Sequence, residues 1–428
     1  MTKLLLKGGE VLLPNGQVKQ ADVAIENNVI AYVDDIPQTW QPEKTIHCSD
    51  KLIAPGLVNT HTHAAMTLFR SYADDMALMD WLQKKIWPAE AKLVAQDVYW
   101  GTMLAIAEML KSGTTTFADM YFFMDEVAKA VDQSGIRAVL SRGMSGVTPT
   151  AQQALTESEE FFRTFHGFAD GRITVMLGPH APYTCPPDYL KKVISLAEKL
   201  GAQIHIHLSE TEGEVLDCLK AYGKSPIALM EELGLLGHGV LAAHCVHVSA
   251  EDIAIMQRHK VRVAHNPGSN MKLASGVAPV PAMLAAGLPV GLGTDGASSN
   301  NNLDMLEELR LAALLHKVHE LNPLLVPAKT AVDMATAMGA QAVGLEDAIG
   351  SIQKGFKADL VIWNMHNLRW CPRHDRISLL TYSASAQDVH TVIVNGHIVV
   401  DNQKLVTIDE EKLLFEVQQR GMRLVRDR

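Results

Sequence analysis

Short apolar runs alternate with longer amphipathic stretches through the middle of the chain. Each run is followed by a segment whose apolar residues recur at helical spacing, as in residues 187–200 and 250–258. This alternation predicts an α/β fold, and eight strand-like runs favour a (β/α)8 TIM barrel over an open doubly wound sheet. The eight predicted strands cover residues 56–61, 114–118, 138–141, 173–177, 203–208, 240–244, 261–265 and 289–294.

The two chain ends show a different pattern, with short strand-like runs separated by tight turns. Residues 1–55 contain Pro14-Asn15-Gly16, and residues 351–428 contain Asn395-Gly396, which is a hairpin signal. Neither end has enough strands for a stable sandwich by itself. We therefore expect both ends to form one small β-sandwich domain, with a terminal helix over residues 409–428, around a central barrel domain over residues 56–350.

Composition limits the classes of partner. The 428 residues are 47% hydrophobic and 20% charged with a formal net charge of −10, which gives no support for a nucleic-acid partner. There is no run of about 18 apolar residues that would indicate a membrane span. Five cysteines without a C-x-x-C pair, and an N-terminus without signal-peptide features, favour a cytoplasmic protein. The acidic C-terminal helix could pack on a neighbouring subunit, and we expect a homo-oligomer.

Histidines and acids gather at the ends of the predicted strands. His61 and His63 are one residue apart, so in an extended strand their side chains share a face. Two buried neutral imidazoles need partners, and a shared divalent metal is the simplest one. Further polar residues follow later strands, all at the carboxyl ends where barrel enzymes carry their active sites: His180, His207, Glu210, His244 and Asp295.

The nitrogen and oxygen ligands His61, His63, His207 and Asp295 would suit one Zn²⁺, or less well Fe²⁺. A metal with an open position lowers the pKa of its water to about 7. Asp295 could accept that water's proton, and His244 could hydrogen-bond the same water or an oxyanion; alternatively, His244 is a packed strand residue. Glu210 lies three residues beyond His207, where a carboxyl group could act as a general acid, or could simply precede a helix.

Other motifs are set aside. The run Gly291-Leu292-Gly293-Thr294-Asp295-Gly296 fits G-x-G-x-x-G but occurs at the eighth strand, with no further parallel strand behind it. We interpret its glycines as space for Asp295 to approach a metal and expect no nucleotide cofactor. The chain has neither H-E-x-x-H nor H-x-E with P-C-x-x-C, which argues against zincins and the small zinc deaminases.

These residues resemble the amidohydrolase superfamily, and in particular its aminohydrolase branch. The resemblance covers nearly the whole chain, and it rests on segments 55–63, 207–210, 243–245 and 293–296 with Ser299-Asn300, and on the closing segments 350–352 and 355–360. Within that branch the chain is similar to the deaminases of 5′-methylthioadenosine and S-adenosylhomocysteine. The resemblance implies a small-molecule nucleoside substrate, hydrolytic deamination at C6 of its adenine ring, and catalytic roles for Glu210, His244 and Asp295.

The same resemblance implies the substrate contacts. Glu90 would bind the ribose hydroxyls, Trp81 would pack on the nucleoside, and His180 would lie near the purine or sugar, while Ser299, Glu210 and Asp295 would complete the site. Arg142 is the nearest candidate for the arginine that such enzymes use for the sugar or the homocysteine tail. A second such arginine is not evident, which favours methylthioadenosine over S-adenosylhomocysteine.

Three alternatives remain. The same barrel and metal site could serve an aminohydrolase or halide hydrolase of guanine, an s-triazine or another heteroaromatic ring. A binuclear amide-ring hydrolase would need a carboxylated lysine after the fourth strand, where the chain has Gly178-Pro179-His180. A metal-binding scaffold without activity should lose its proton carriers, yet Glu210, His244 and Asp295 are present.

Overall fold

The computed structural model describes residues 3–426. Its strands are β1 Lys3–Leu12, β2 Val18–Glu26, β3 Val29–Val33, β4 Lys44–His47, β5 Lys51–Pro55, β6 Leu57–Thr62, β7 Thr114–Tyr121, β8 Arg137–Met144, β9 Ile173–Pro179, β10 His205–Leu208, β11 Leu241–His244, β12 Arg262–His265, β13 Val290–Leu292, β14 Leu360–Asn364, β15 Val389–Val394, β16 His397–Asp401 and β17 Lys404–Leu405. Its α-helices are α1 Leu78–Trp81, α2 Trp87–Glu90, α3 Ala95–Lys111, α4 Met124–Ser134, α5 Ala151–Phe165, α6 Phe168–Gly171, α7 Pro187–Leu200, α8 Glu212–Tyr222, α9 Pro226–Glu232, α10 Ala250–Arg258, α11 Pro267–Lys272, α12 Val280–Ala285, α13 Met305–His319, α14 Ala328–Ala335, α15 Ala337–Ala342, α16 Arg376–Tyr382 and α17 Glu410–Val425.

The central strands form two parallel four-stranded sheets, in the orders β6-β7-β8-β9 and β10-β11-β12-β13. Backbone hydrogen bonds join the two sheets at both junctions. Leu177 N of β9 donates to Gln203 O (2.8 Å), just before β10, and Asp295 N, just beyond β13, donates to His61 O of β6 (3.0 Å). Residues of β6, β7 and β10 to β13 are all buried, as expected for parallel strands covered on both faces. The eight predicted strands are confirmed in position, and the fold is TIM-barrel-like α/β with an additional sheet.

The additional sheet is built from both chain ends. Its nine strands include β1 to β5 and β14 to β17, and β5 pairs antiparallel with β14, with Ile53 opposite Ile362. A buried ion pair between Arg137 of β8 and Asp359 (2.6 Å) ties this sheet to the central strands. The carboxylate of Asp359 also accepts a hydrogen bond from Asn395 N (2.7 Å). The sheet is thus fastened to the end of the central strands opposite their carboxyl ends.

The first long helix, α3, starts at Ala95. The carboxylate of Asp97, in its first turn, accepts a hydrogen bond from Val94 N (2.9 Å). The same buried carboxylate pairs with Arg420 (3.1 Å) and Arg423 of α17. The C-terminal helix is therefore held against α3 of its own chain. Between residues 3 and 426, no helix is both long and apolar enough to cross a membrane.

Candidate active site

The four predicted metal ligands converge at the carboxyl ends of the central strands. Asp295 Oδ1 lies 3.4 Å from His61 Nε2 and 3.3 Å from His63 Nε2. His63 Nε2 is also 3.3 Å from His207 Nε2. His61 belongs to β6 and His207 to β10, and His63 and Asp295 follow β6 and β13. Parallel strands place their carboxyl ends at one rim, which is why residues so distant in sequence meet here.

The hydrogen bonds of the imidazoles leave their inner nitrogens free for a cation. His63 Nδ1 lies 2.6 Å from Met120 O, and His207 Nδ1 lies 2.7 Å from His180 O. Because a carbonyl only accepts, each Nδ1 carries the proton and each Nε2 presents a lone pair. His61 Nε2 and Asp295 Oδ1 are buried without a hydrogen-bond partner. Three imidazole nitrogens and one carboxylate oxygen, which face one another, could thus coordinate a divalent metal ion.

A further histidine supports this cluster, and we missed it in the sequence. His205 is fully buried in β10, and its Nε2 lies 2.8 Å from His61 Nδ1. Its Nδ1 lies 3.5 Å from Ser141 Oγ. His205 and His207 are one residue apart, which is the same spacing that identified His61 and His63. That spacing was the signal that could have revealed it.

Asp295 is oriented by two hydroxyl groups. Its Oδ2 accepts from Ser269 Oγ (2.6 Å) and Ser299 Oγ (2.9 Å), so that Oδ1 faces the imidazoles. Burial alone would raise the pKa of Asp295, but the neighbouring imidazoles of His61, His63 and His244 hold that pKa well below its usual range. The side chain is therefore a carboxylate. Ser299, a predicted substrate contact, lines the cavity and touches Asp295.

Glu210 faces the cavity and does not belong to the following helix, which begins at Glu212. Its Oε1 accepts from Ser275 Oγ (3.2 Å). Burial raises the pKa of the Glu210 carboxyl above its usual value. The loop is held by Glu214, whose carboxylate accepts from Ser209 N (2.8 Å) and Glu210 N (2.9 Å).

His244 lies beside Glu210, with 3.8 Å between its Nε2 and Glu210 Oε2. Its Nδ1 lies 2.8 Å from Asn270 Oδ1, which leaves Nε2 to face the cavity. Burial lowers the pKa of His244, but the carboxylates of Glu210 and Asp295 outweigh burial and raise it. His244 is thus a cavity-facing residue able to carry a proton, which disfavours the packed-strand alternative.

A cavity of about 440 Å³ opens above the cluster, within the range typical of small-molecule sites. The segment from α1 to α2, which includes a π turn at Leu82–Ile86, forms one wall. All predicted substrate contacts line this cavity: Trp81, Glu90, Arg142, His180, Glu210, Asp295 and Ser299.

The lining of the cavity carries a second carboxyl, that of the partly buried Glu90. Glu90 Oε1 accepts from Tyr121 OH (2.7 Å), and burial raises the pKa of Glu90 to about 7. His180 Nδ1 lies 2.9 Å from Thr184 Oγ1, and burial lowers the pKa of His180 to about 3, so its ring is neutral. The cavity therefore offers several polar groups within a largely apolar lining.

Arg142 reaches the cavity with its charge already paired. Its Nε and Nη2 donate to Glu157 Oε2 at 3.0 and 2.6 Å, and its Nη1 donates to Gly143 O. Glu157 is on α5, outside every motif identified in the sequence.

Comparison with known proteins places this site in context. A profile of the amidohydrolase family matches residues 52–399. A 5-methylthioadenosine/S-adenosylhomocysteine deaminase of Desulforudis audaxviator is 53% identical over 426 residues, which is 99% of each chain. An adenosine deaminase structure from Xanthomonas campestris with bound zinc is 36% identical, with a TM-score of 0.94 over 99% of this chain and 98% of that one. Atrazine chlorohydrolase from Arthrobacter aurescens, at 24% identity and a TM-score of 0.91 over 98% of this chain and all of that one, shares the fold.

Proposed function

The chain belongs to the amidohydrolase family, and on that premise we propose that it is a zinc-dependent deaminase of adenine nucleosides. The proposed substrate is 5′-methylthioadenosine, with S-adenosylhomocysteine and adenosine as further candidates. One observation carries this proposal: a single cavity is lined by His63, His207 and Asp295 of the cluster, by the buried Glu210 beside it, and by a second carboxyl, that of the partly buried Glu90. This arrangement suits a flat ring at one end and a sugar at the other.

His61, His63, His207 and Asp295 would hold one Zn²⁺ per chain; Fe²⁺ is the other metal that such a set accommodates. When bound, the metal lowers the pKa of a coordinated water to about 7 and so supplies a nucleophile at neutral pH.

The protein's own residues move the protons. Glu210 donates a proton to N1 of the adenine ring, which makes C6 more electrophilic. Asp295 accepts the proton of the attacking water, and His244 hydrogen-bonds the oxygen that becomes attached to C6. Asp295 then returns its proton to the amine. The C6–N bond breaks and ammonia leaves. The remaining proton of the C6 hydroxyl group passes to Glu210, which restores the acid, and the product carries a hypoxanthine ring.

The remaining residues bind and orient the nucleoside. Glu90 accepts hydrogen bonds from the ribose hydroxyls, and Trp81, which is 5% exposed, packs against the substrate. The neutral imidazole of His180 and the hydroxyl of Ser299 contact the substrate from the walls. Arg142 lines the cavity and would face the 5′ substituent.

The proposed architecture follows the same lines. The eight central strands would close into a (β/α)8 barrel over residues 56–350. Residues 1–55 and 351–428 would form the β-sandwich domain, and the subunit would act in a homo-oligomer.

An absorbance assay tests the function directly. The zinc-loaded protein should convert the ultraviolet spectrum of methylthioadenosine to that of the hypoxanthine nucleoside and release an equal amount of ammonia. Guanine and an s-triazine serve as substrates for the second candidate function. Turnover of either, with none of methylthioadenosine, would reject the nucleoside proposal.

A further inference from the structure

The active-site cavity continues into a second, larger space, which we call the outer groove. The outer groove has a volume of about 1050 Å³ and shares Trp87, Glu90, Phe122 and Arg142 with the active-site cavity. In the proposed function, the adenine ring lies at Glu210 and the ribose at Glu90. The 5′ substituent of the nucleoside then extends toward Arg142 and the outer groove.

The outer groove is acidic. Besides Glu90, its lining carries the carboxylates of Asp125, Glu157 and Glu160, and among residues 3–426 Arg142 is its single cationic lining residue. Lys129, which does not line the groove, pairs with Glu126 (2.6 Å) and lies 3.9 Å from Asp125, so it offsets part of the charge of Asp125. A negatively charged ligand would meet a net negative surface there, and like charges at short range oppose binding.

Glu157 also occupies the guanidinium that an anion would need. Two nitrogens of Arg142 donate to the same oxygen, Glu157 Oε2, and the third donates to Gly143 O. The other oxygen of Glu157 accepts from Gln153 Nε2 (2.7 Å), one helical turn earlier on α5. The side chain of Arg142 is 18% exposed and that of Glu157 is 40% exposed, so the guanidinium is largely shielded while solvent reaches the carboxylate. A ligand carboxylate would have to displace Glu157 to gain the two-pronged contact that arginine offers.

We propose that Glu157 is a specificity-determining residue, which by pairing with Arg142 makes the outer groove select 5′ substituents that are neutral or carry an ammonium group over those that carry a carboxylate. This inference rests on the proposed function and adds a substrate class to it.

The test uses three adenosine derivatives that differ at the 5′ sulfur: methylthio, 3-aminopropylthio and 2-carboxyethylthio. We expect the wild-type enzyme to show a higher kcat/KM for the aminopropyl compound than for the carboxyethyl compound. Glu157→Gln should move that ratio toward the carboxyethyl compound by about tenfold, because one negative charge is removed and Arg142 is released. High salt should shrink the wild-type ratio, because screening weakens charge discrimination.

The matched control is Glu159→Gln. Glu159 lies on the same helix, but it pairs with Arg163 (2.9 Å) and Lys199 (2.7 Å) and lines neither cavity. Its substitution should leave the ratio at the wild-type value. Equal ratios in wild type and Glu157→Gln, or a wild-type preference for the carboxyethyl compound, would overturn the inference. If the wild-type protein fails to deaminate methylthioadenosine, the proposed function fails. The charge selection is then decided separately, by comparing the dissociation constants of the same three compounds in equilibrium dialysis.

Discussion

Replacement of His205 by phenylalanine should weaken zinc binding although His205 is not a proposed ligand. His61 Nε2 faces the ligand cluster, so its Nδ1 must carry the proton, and His205 Nε2 at 2.8 Å is the acceptor for it. His205 in turn has its own proton on Nδ1, toward Ser141 Oγ at 3.5 Å. Phenylalanine keeps the ring shape but removes the acceptor. The His61 N–H is then buried without a partner, and its ring orientation is no longer fixed.

The size of the effect follows from that lost hydrogen bond. A buried donor left unpaired costs about 1–3 kcal/mol, and loss of a group that orients a metal ligand typically costs about 10–100-fold in metal affinity. Both figures predict that the zinc Kd of His205→Phe rises by one to two orders of magnitude.

Competition with a chromophoric chelator measures this Kd without reference to activity. The control is His265→Phe: His265 is also fully buried at the end of a central strand, but neither ring nitrogen has a partner and it is not within the ligand cluster. Its Kd should match that of wild type. A wild-type Kd in folded His205→Phe, or an equal rise in both variants, would refute the assigned hydrogen-bond chain.

Three other predictions concern the metal, a pH profile and stability. Dialysis against a strong chelator should abolish deamination and added Zn²⁺ should restore it; activity that survives in metal-free protein by elemental analysis would contradict the proposed mechanism. Burial raises the pKa of Glu90 to about 7, so its carboxylate forms as the pH rises through 7. We expect kcat/KM for methylthioadenosine to increase near pH 7 in wild type and to lack this increase in Glu90→Gln. An identical increase in both proteins would assign the titration to another group. Asp359→Ala leaves the buried Arg137 without its carboxylate partner, and it should lower the free energy of unfolding by about 3–5 kcal/mol in urea titrations. Asp50→Ala removes the more exposed pair with Arg373 and should lower it by about 1 kcal/mol or less. Equal losses in the two variants would contradict the assigned role of the buried pair.

Strand periodicity was sufficient to bring the four predicted ligand residues to one rim of the central strands. The carboxyl ends of parallel strands share one rim, so a histidine at the end of a predicted strand is placed by the fold class alone. The pairing of Arg142 with Glu157 could not be predicted in this way. Glu157 lies on a helix, and its contact depends on how α5 packs beside β8, which no local pattern specifies. The same holds for Asp97, whose partners Arg420 and Arg423 are more than three hundred residues away.

Backbone conformation differs between the ligands His61 and His207 and the residues that would move protons. His61 and His207 lie within regular strands, whose alternation fixes the direction of their side chains. By contrast, left-handed backbone occurs at Ser209 (φ 54°), His244 (φ 71°) and Asp295 (φ 59°), each at or just beyond the end of a central strand. Such conformations cost about 1–3 kcal/mol in residues other than glycine, and they persist only where surrounding contacts hold them.

Those contacts are present at all three positions. Glu214 binds the backbone N–H groups of Ser209 and Glu210, Asn270 holds the ring of His244, and the backbone N–H of Asp295 donates to His61 O. The strained turns reverse the chain at the rim and direct Glu210, His244 and Asp295 into the cavity, where a continuing strand would carry them past it. Regular strands therefore hold two of the four proposed ligands, His61 and His207. The turns place the proposed acid Glu210, the hydrogen-bond donor His244, and Asp295, which is proposed as both ligand and base.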